Sequence, residues 1–197
     1  MEKPYAAAPA RNAAPILSVL RHELRGCSTV FEIGSGTGQH AVTFAAALPA
    51  VTWQTSDLEP SHDGIRAWIS DAGPGNVLPP LEFDVLSAAT PATRYDAVFS
   101  ANTAHIMSYT AVCRMFELVG DMLSETGVFC LYGPFSRGGA FSTRSNEAFD
   151  ASLRARNAAM GVRDLDDLEA LAAQNGLGLA RIYAMPANNL LTVWIGS

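Results

Sequence analysis

The chain has 197 residues, 49% hydrophobic and 16% charged, enough to bury the core of one domain. Its net charge of −6 and scattered 13 Lys and Arg residues disfavour a nucleic-acid partner, which demands several phosphate-neutralising cations on one surface. No apolar run reaches the ~18 residues of a membrane-spanning helix, and the first residues lack the apolar core of a signal peptide. A cytoplasmic protein with no membrane partner is therefore expected. Cys27, Cys113 and Cys130 are odd in number and widely spaced, which fits buried thiols in a reducing compartment better than disulfides or zinc ligation. No metal-ligand cluster of His and carboxylates is visible. A single domain over residues 1–197 is expected, with residues 1–11 as a mobile leader of alanine and proline without period.

In chain order, Pro15–Arg25 places Ile16, Leu17, Val19, Leu20 and Leu24 at helical spacing. Thr29–Ile33 is a short β-branched and aromatic run suited to a strand buried on both faces. It carries Glu32 and ends in three alternating glycines, Gly34, Gly36 and Gly38, that open a helix over Gln39–Leu48. Val51–Asp57 is a strand ending on an acid, Ser61–Asp71 a helix with Ser61 as its expected cap, and Leu81–Val85 a strand ended by Asp84. Tyr95 begins another buried strand that runs into Ala101, Asn102 and His105. Tyr109–Leu123 is amphipathic, and Gly127–Tyr132 returns as a strand. Glu147–Arg156 reads as a helix capped by Ser145, and Asp164 as the cap of the last helix. Leu179–Met185 and Leu190–Ile195, joined by Pro186-Ala187-Asn188-Asn189, form an antiparallel hairpin. Alternating strands and helices predict an α/β Rossmann-like doubly wound sheet, mostly parallel, with a C-terminal antiparallel hairpin strand.

The glycine turn identifies the class of ligand. A dinucleotide fingerprint needs a glycine where Gln39 stands, and a phosphate-binding P-loop needs a lysine, whereas the chain's only lysine is Lys3. A carboxylate at Glu32 would repel pyrophosphate but suits a cationic ligand. Asp57 lies roughly 20 residues beyond Gly38, the spacing at which an acid meets ribose hydroxyls in such sheets. The order Glu32-Ile33-Gly34-Ser35-Gly36-Thr37-Gly38 resembles the first motif of class I S-adenosylmethionine (SAM) methyltransferases.

Further strings resemble one family more closely. They are Arg11-Asn12 ahead of Pro15-Ile16-Leu17, Ser35 to Ala41, Ala101-Asn102 with His105-Ile106, and Leu131-Tyr132-Gly133-Pro134-Phe135. Ser145-Asn146 with Phe149-Asp150, Arg163-Asp164, and Met185 to Asn189 complete the set. In this order, over about residues 11–195, they resemble the methyltransferase-like protein 26 family, itself long filed as a domain of unknown function. The chain departs from that pattern at Gly34 and Met160. The resemblance implies SAM as cofactor, held by Arg11, Asn12, Glu32, Gly34, Ser35, Gly36, Thr37, Gly38, His40, Asp57, Leu58, Phe83, Asp84, Val85, Ala101, Asn102 and His105. It implies a leader folded over that cofactor, and a small-molecule acceptor pocket bordered by Tyr132, Phe135, Asn146 and Asn188. His105 and Tyr132 are the candidate catalytic groups. Methyl transfer is the leading expectation. A SAM-binding sensor or scaffold and a SAM-using enzyme that does not methylate are its alternatives, and a nicotinamide dehydrogenase is opposed by Gln39 and the terminal hairpin.

Overall fold

The computed structural model describes residues 3–196, Ala72 by its backbone alone. Strands β1 (Thr29–Ile33), β2 (Thr52–Asp57), β3 (Val77–Glu82), β4 (Tyr95–Ala101) and β5 (Leu123–Gly133) run parallel. The hairpin of β9 (Leu177–Met185) and β10 (Asn189–Gly196) completes a seven-stranded sheet in the order β3-β2-β1-β4-β5-β10-β9. Only β10 is reversed, because it pairs antiparallel with both β5 and β9. A small second sheet, β7-β6-β8, joins β6 (Phe135–Arg137), β7 (Ala140–Phe141) and β8 (Arg163–Asp164).

Strand periodicity sends neighbours to opposite faces, and both faces are covered. Val30 joins the core under α1 (Ala7–Glu23) and α2 (Gln39–Ala47), around Phe44, Trp53 and Phe99. Phe31 joins the core under α4 (Tyr109–Met122) and α6 (Leu165–Gln174), around Phe116, Phe129 and Trp194. The remaining helices are α3 (His62–Ala72) and α5 (Arg144–Arg156). Connections from β1 lead to β2 and β3 on one side, and β4 and β5 lie on the other. That reversal opens a crevice at the carboxyl ends of β1 and β4, where open α/β sheets hold their ligands.

Four sequence-based expectations need correction here. α1 starts at Ala7 and carries Pro15 inside it, so residues 3–11 are not a mobile leader. Lys3 pairs with Asp71 and lies 4.0 Å over the Trp68 ring, whose Nε1–H donates to the Pro4 carbonyl at 2.6 Å. The Ala6 N–H donates to Gln39 Oε1 at 2.6 Å. Partners distant in sequence fasten the segment, and no local period could announce them; Met1 and Glu2 lie outside the described residues. Ser61 does not cap α3, since a 3-10 turn (Glu59–Ser61) precedes the helix and the hydroxyl donates instead to Asp57 Oδ1 at 3.1 Å. Thr143, not Ser145, caps α5 by accepting the Asn146 N–H. β3 ends at Glu82, so Asp84 stands in the following turn rather than in a strand. Asp164 does cap α6, accepting the Asp166 N–H at 3.0 Å.

Candidate functional site

A cleft of about 600 Å³ opens at this crevice. Its floor is the β1–α2 turn, tied to β2 because the N–H groups of Gly34 and Ser35 both donate to the Ser56 carbonyl. The turn requires glycine at two points. Gly34 has φ +74, and a Cβ there would stand 2.6 Å from Thr103 Cγ2. Gly38 has φ +88, and its Cβ would meet the Ile65 Cα at 3.0 Å.

Glu32 holds this turn from beneath and does not line the cleft. Its carboxyl is buried, accepting from Ser35 Oγ at 2.8 Å and Trp53 Nε1 at 3.0 Å. Burial raises its pKa to about 7, although the Trp53 and Ser35 hydrogen bonds oppose the shift. Glu32 therefore supports the backbone rather than facing a ligand.

Asp57 does face the cleft. Its Oδ2 accepts the Gly36 N–H at 2.7 Å, and its Oδ1 accepts the Leu58 N–H at 2.7 Å and the Ser61 hydroxyl. Asp84 lines the opposite part, with Oδ1 held by the Leu86 N–H at 3.0 Å in an Asx turn. Phe83, Val85 and Leu58 supply apolar walls, and Leu58 is half exposed at the rim. Thr37, Ala101 and Asn102 complete the expected lining, with Asn102 at φ +62. His40 also lines the cleft; burial lowers its pKa to about 4, so it is neutral near pH 7. Lys and Arg are absent from the lining among the described residues.

Of the other expected cofactor residues, Arg11 is exposed on α1, and Gly38 lies behind the turn. Asn12 is one layer back, with Oδ1 2.7 Å from His40 Nε2. The lining that sequence missed includes Ala6, Ala8 and Pro9 around the start of α1, Ser61 and Leu86 after β2 and β3, and a group that includes Ile106, Met107 and Ala111 beyond β4. The tertiary anchors of the leader bring its residues in. The residues beyond β4 continue the chain from Asn102, a signal available in the sequence.

The expected acceptor residues sit elsewhere than predicted. Tyr132 and Phe135 are core side chains, 2% and 3% exposed, packed on opposite faces of the sheet. Tyr132 stands near the end of β5 and packs on the α1 side, whereas Phe135 opens β6 of the small sheet and packs into the opposite core. Asn146 is buried and donates to the Asn188 carbonyl at 3.1 Å, while the Asn188 side chain is exposed. His105 follows the cleft-lining Thr103, but its ring is turned away from the cleft. It is 7% exposed, packs edge-on to Phe149, and has no side-chain hydrogen bond among the described residues. Burial first, then Arg163 and Arg156, lower its pKa to about 4.

Comparison with solved structures identifies the architecture. The chain superposes on the mitomycin 7-O-methyltransferase MmcR with a TM-score of 0.85 at 14% identity, covering 97% of this chain and 55% of that one. It superposes on an O-methyltransferase family protein from Burkholderia thailandensis with a TM-score of 0.83 at 16% identity, covering 96% and 57%. Human N-acetylserotonin methyltransferase in complex with SAM gives a TM-score of 0.82 at 12% identity, covering 96% and 53%. The fold is thus that of class I methyltransferases, and the chain spans about half the length of these structures. No described helix is long and apolar enough to cross a membrane, and no described group of His, Cys, Asp and Glu could hold a metal ion. A family model described as protein of unknown function (DUF938) matches residues 3–195, nearly the whole fold and every wall of the cleft, and the chain belongs to that family.

Proposed function

We propose that this chain binds SAM in the cleft and transfers its methyl group to a small-molecule acceptor. The observation that carries this reading is the charge of the lining. Asp57 and Asp84 are its acidic side chains, His40 is neutral, and no Lys or Arg faces them among the described residues. Such a wall favours a cationic sulfonium nucleoside and opposes a pyrophosphate. SAM supplies an electrophilic methyl on a positively charged sulfur, which leaves as a neutral thioether.

The chain's own residues hold and align. Asp57 accepts the ribose hydroxyls, with the Ser61 hydroxyl turning away to free a lone pair. Asp84 accepts the adenine amino group, and Leu58, Phe83 and Val85 cover the ring. The β1–α2 turn, clamped by Glu32 and Ser56, presents backbone N–H groups to the amino-acid tail. The start of α1 shields one side from water. Such positioning supplies the rate advantage, since no acid is needed to expel the leaving group. His105 and Tyr132, the expected catalytic side chains, are buried outside the cleft lining and take no part. The finer kinship with the methyltransferase-like protein 26 family belongs to this proposal, resting on its seven ordered strings.

One observation favours a second reading, a SAM-binding protein without turnover. Asn12 and His40 are bonded to each other, and Asn146 to the Asn188 carbonyl. The test separates the two. Protein incubated with a cell metabolite extract and methyl-labelled SAM places label on a metabolite if the first reading holds. SAM binding without label transfer supports the second, and absence of SAM binding removes both.

A further inference from the structure

Packing divides α1 at Pro15. Beyond it, Ile16 and Leu20 are 0% exposed, whereas no residue from Lys3 to Ala14 is buried. Proline has no N–H, so the Arg11 carbonyl lacks its helical donor, and the helix has a natural hinge where the packed part begins. At its start α1 has no side-chain cap and no acid in its first turn. Residues 3–14 are therefore held by contacts with other elements rather than by burial. On α3 these are Asp71 with Lys3, the Trp68 indole with the Pro4 carbonyl, and Gly64, where a Cβ would stand 2.7 Å from Pro4 Cγ. On α2 they are His40, 2.7 Å from Asn12 Oδ1, and Gln39. Together they bring Ala6, Ala8 and Pro9 into the cleft wall.

Gln39 joins this segment to the glycine turn. It is 6% exposed and stands outside the cleft lining, and its Oε1 accepts both the Ala6 N–H at 2.6 Å and the Thr37 hydroxyl at 3.0 Å. Ala6 and Thr37 both line the cleft, so one buried amide oxygen ties its two walls together. We propose that residues 3–14 are a strap that releases as a unit about Pro15 to admit and discharge the nucleoside, and that Gln39 is the positioning residue coupling its closure to the turn. This rests on the SAM-binding reading and adds a gate to it. A segment fastened by a few polar contacts, without core burial, opens at far lower free energy than the sheet beneath it. A ligand seated against Thr37 and Ala6 favours the closed state, because only there does it touch both walls.

The test uses the full chain and stopped-flow binding of the demethylated product of SAM, followed by Trp68 fluorescence, since Trp53 and Trp194 are fully buried. Gln39→Leu removes the shared acceptor, and Lys3→Glu sets a like charge against Asp71 away from the cleft. Each should raise the association and dissociation rate constants together, by about three- to tenfold, since a loosened gate speeds passage both ways. Gln39→Glu, which keeps an acceptor oxygen, should restore the wild-type rates, and rates as fast as those of Gln39→Leu would count against Gln39 as the coupling residue. Tryptic cleavage after the exposed Arg11 should slow when wild type is saturated with product and quicken in Gln39→Leu and Lys3→Glu. Faster dissociation with unchanged association would make the segment a fixed wall and overturn the proposal, as would cleavage after Arg11 that responds to neither ligand nor variant. A chain that binds neither SAM nor its product removes the SAM reading, and the strap then stands or falls on the cleavage rates of the two variants.

Discussion

The two halves of the sheet's carboxyl edge are built differently. Around β1 to β3, acids line an open cleft and short sequence-local turns set the geometry. Around β4 and β5, the His105 imidazole is buried against Phe149, and the contacts join segments far apart in the chain, as Arg163 to Ala104 does. One edge therefore carries two environments: acids around an open cleft, and buried side chains held by long-range contacts behind it.

The largest perturbation of the first half should come from Gly38→Val. Left-handed backbone and a clash with the Ile65 backbone together cost about 2–4 kcal/mol, read as a fall in the denaturation midpoint and lost SAM binding. Equal stability would mean the turn is not as tight as described. Glu32→Gln comes next and acts through pH. The folded pKa of Glu32 is raised by burial from 4.5 to about 7, so its contribution to stability is full below pH 4.5 and is lost as pH rises to 7. Over that window wild type should lose roughly 3 kcal/mol relative to the glutamine variant. Urea melts at pH 4.5 and 7.5 give this difference, and parallel pH dependence would refute it.

Asp57→Ala removes a carboxylate from the cleft and should weaken SAM by about 30- to 100-fold, near 2–3 kcal/mol, with little change at the His105 side. The smallest effect should come from the other half. Asn146→Ala frees the Asn188 carbonyl and should cost about 1 kcal/mol of stability while SAM affinity stays unchanged. If it weakened SAM as Asp57→Ala does, the two halves would not be separable.

This division also explains what the sequence could disclose. Asp57, Phe83, Asp84 and the glycine turn were legible because strand ends and turns at the crevice are encoded within a few residues. The single reversed strand was legible from the hairpin for the same reason. Glu32 was read as an acid that acts on the ligand directly or by ordering backbone N–H groups, and the Ser35 hydroxyl and the distant Trp53 indole hold it beneath the turn, in the second role. Tyr132 and Phe135 lie so close in sequence that one pocket seemed natural, but the chain leaves β5 at Gly133 and enters β6 of the small sheet at Phe135, which sends them into two cores. Arg163 and the fastened leader depend on contacts spanning most of the chain, which no local pattern carries.

The most direct test of the central claim compares two adenine nucleosides of opposite charge. Calorimetric titration of the wild-type chain with SAM and with ATP should give one-to-one binding of SAM and no measurable binding of ATP, because Asp57 and Asp84 repel its phosphates. Equal affinity for both, or heat from ATP alone, would contradict it.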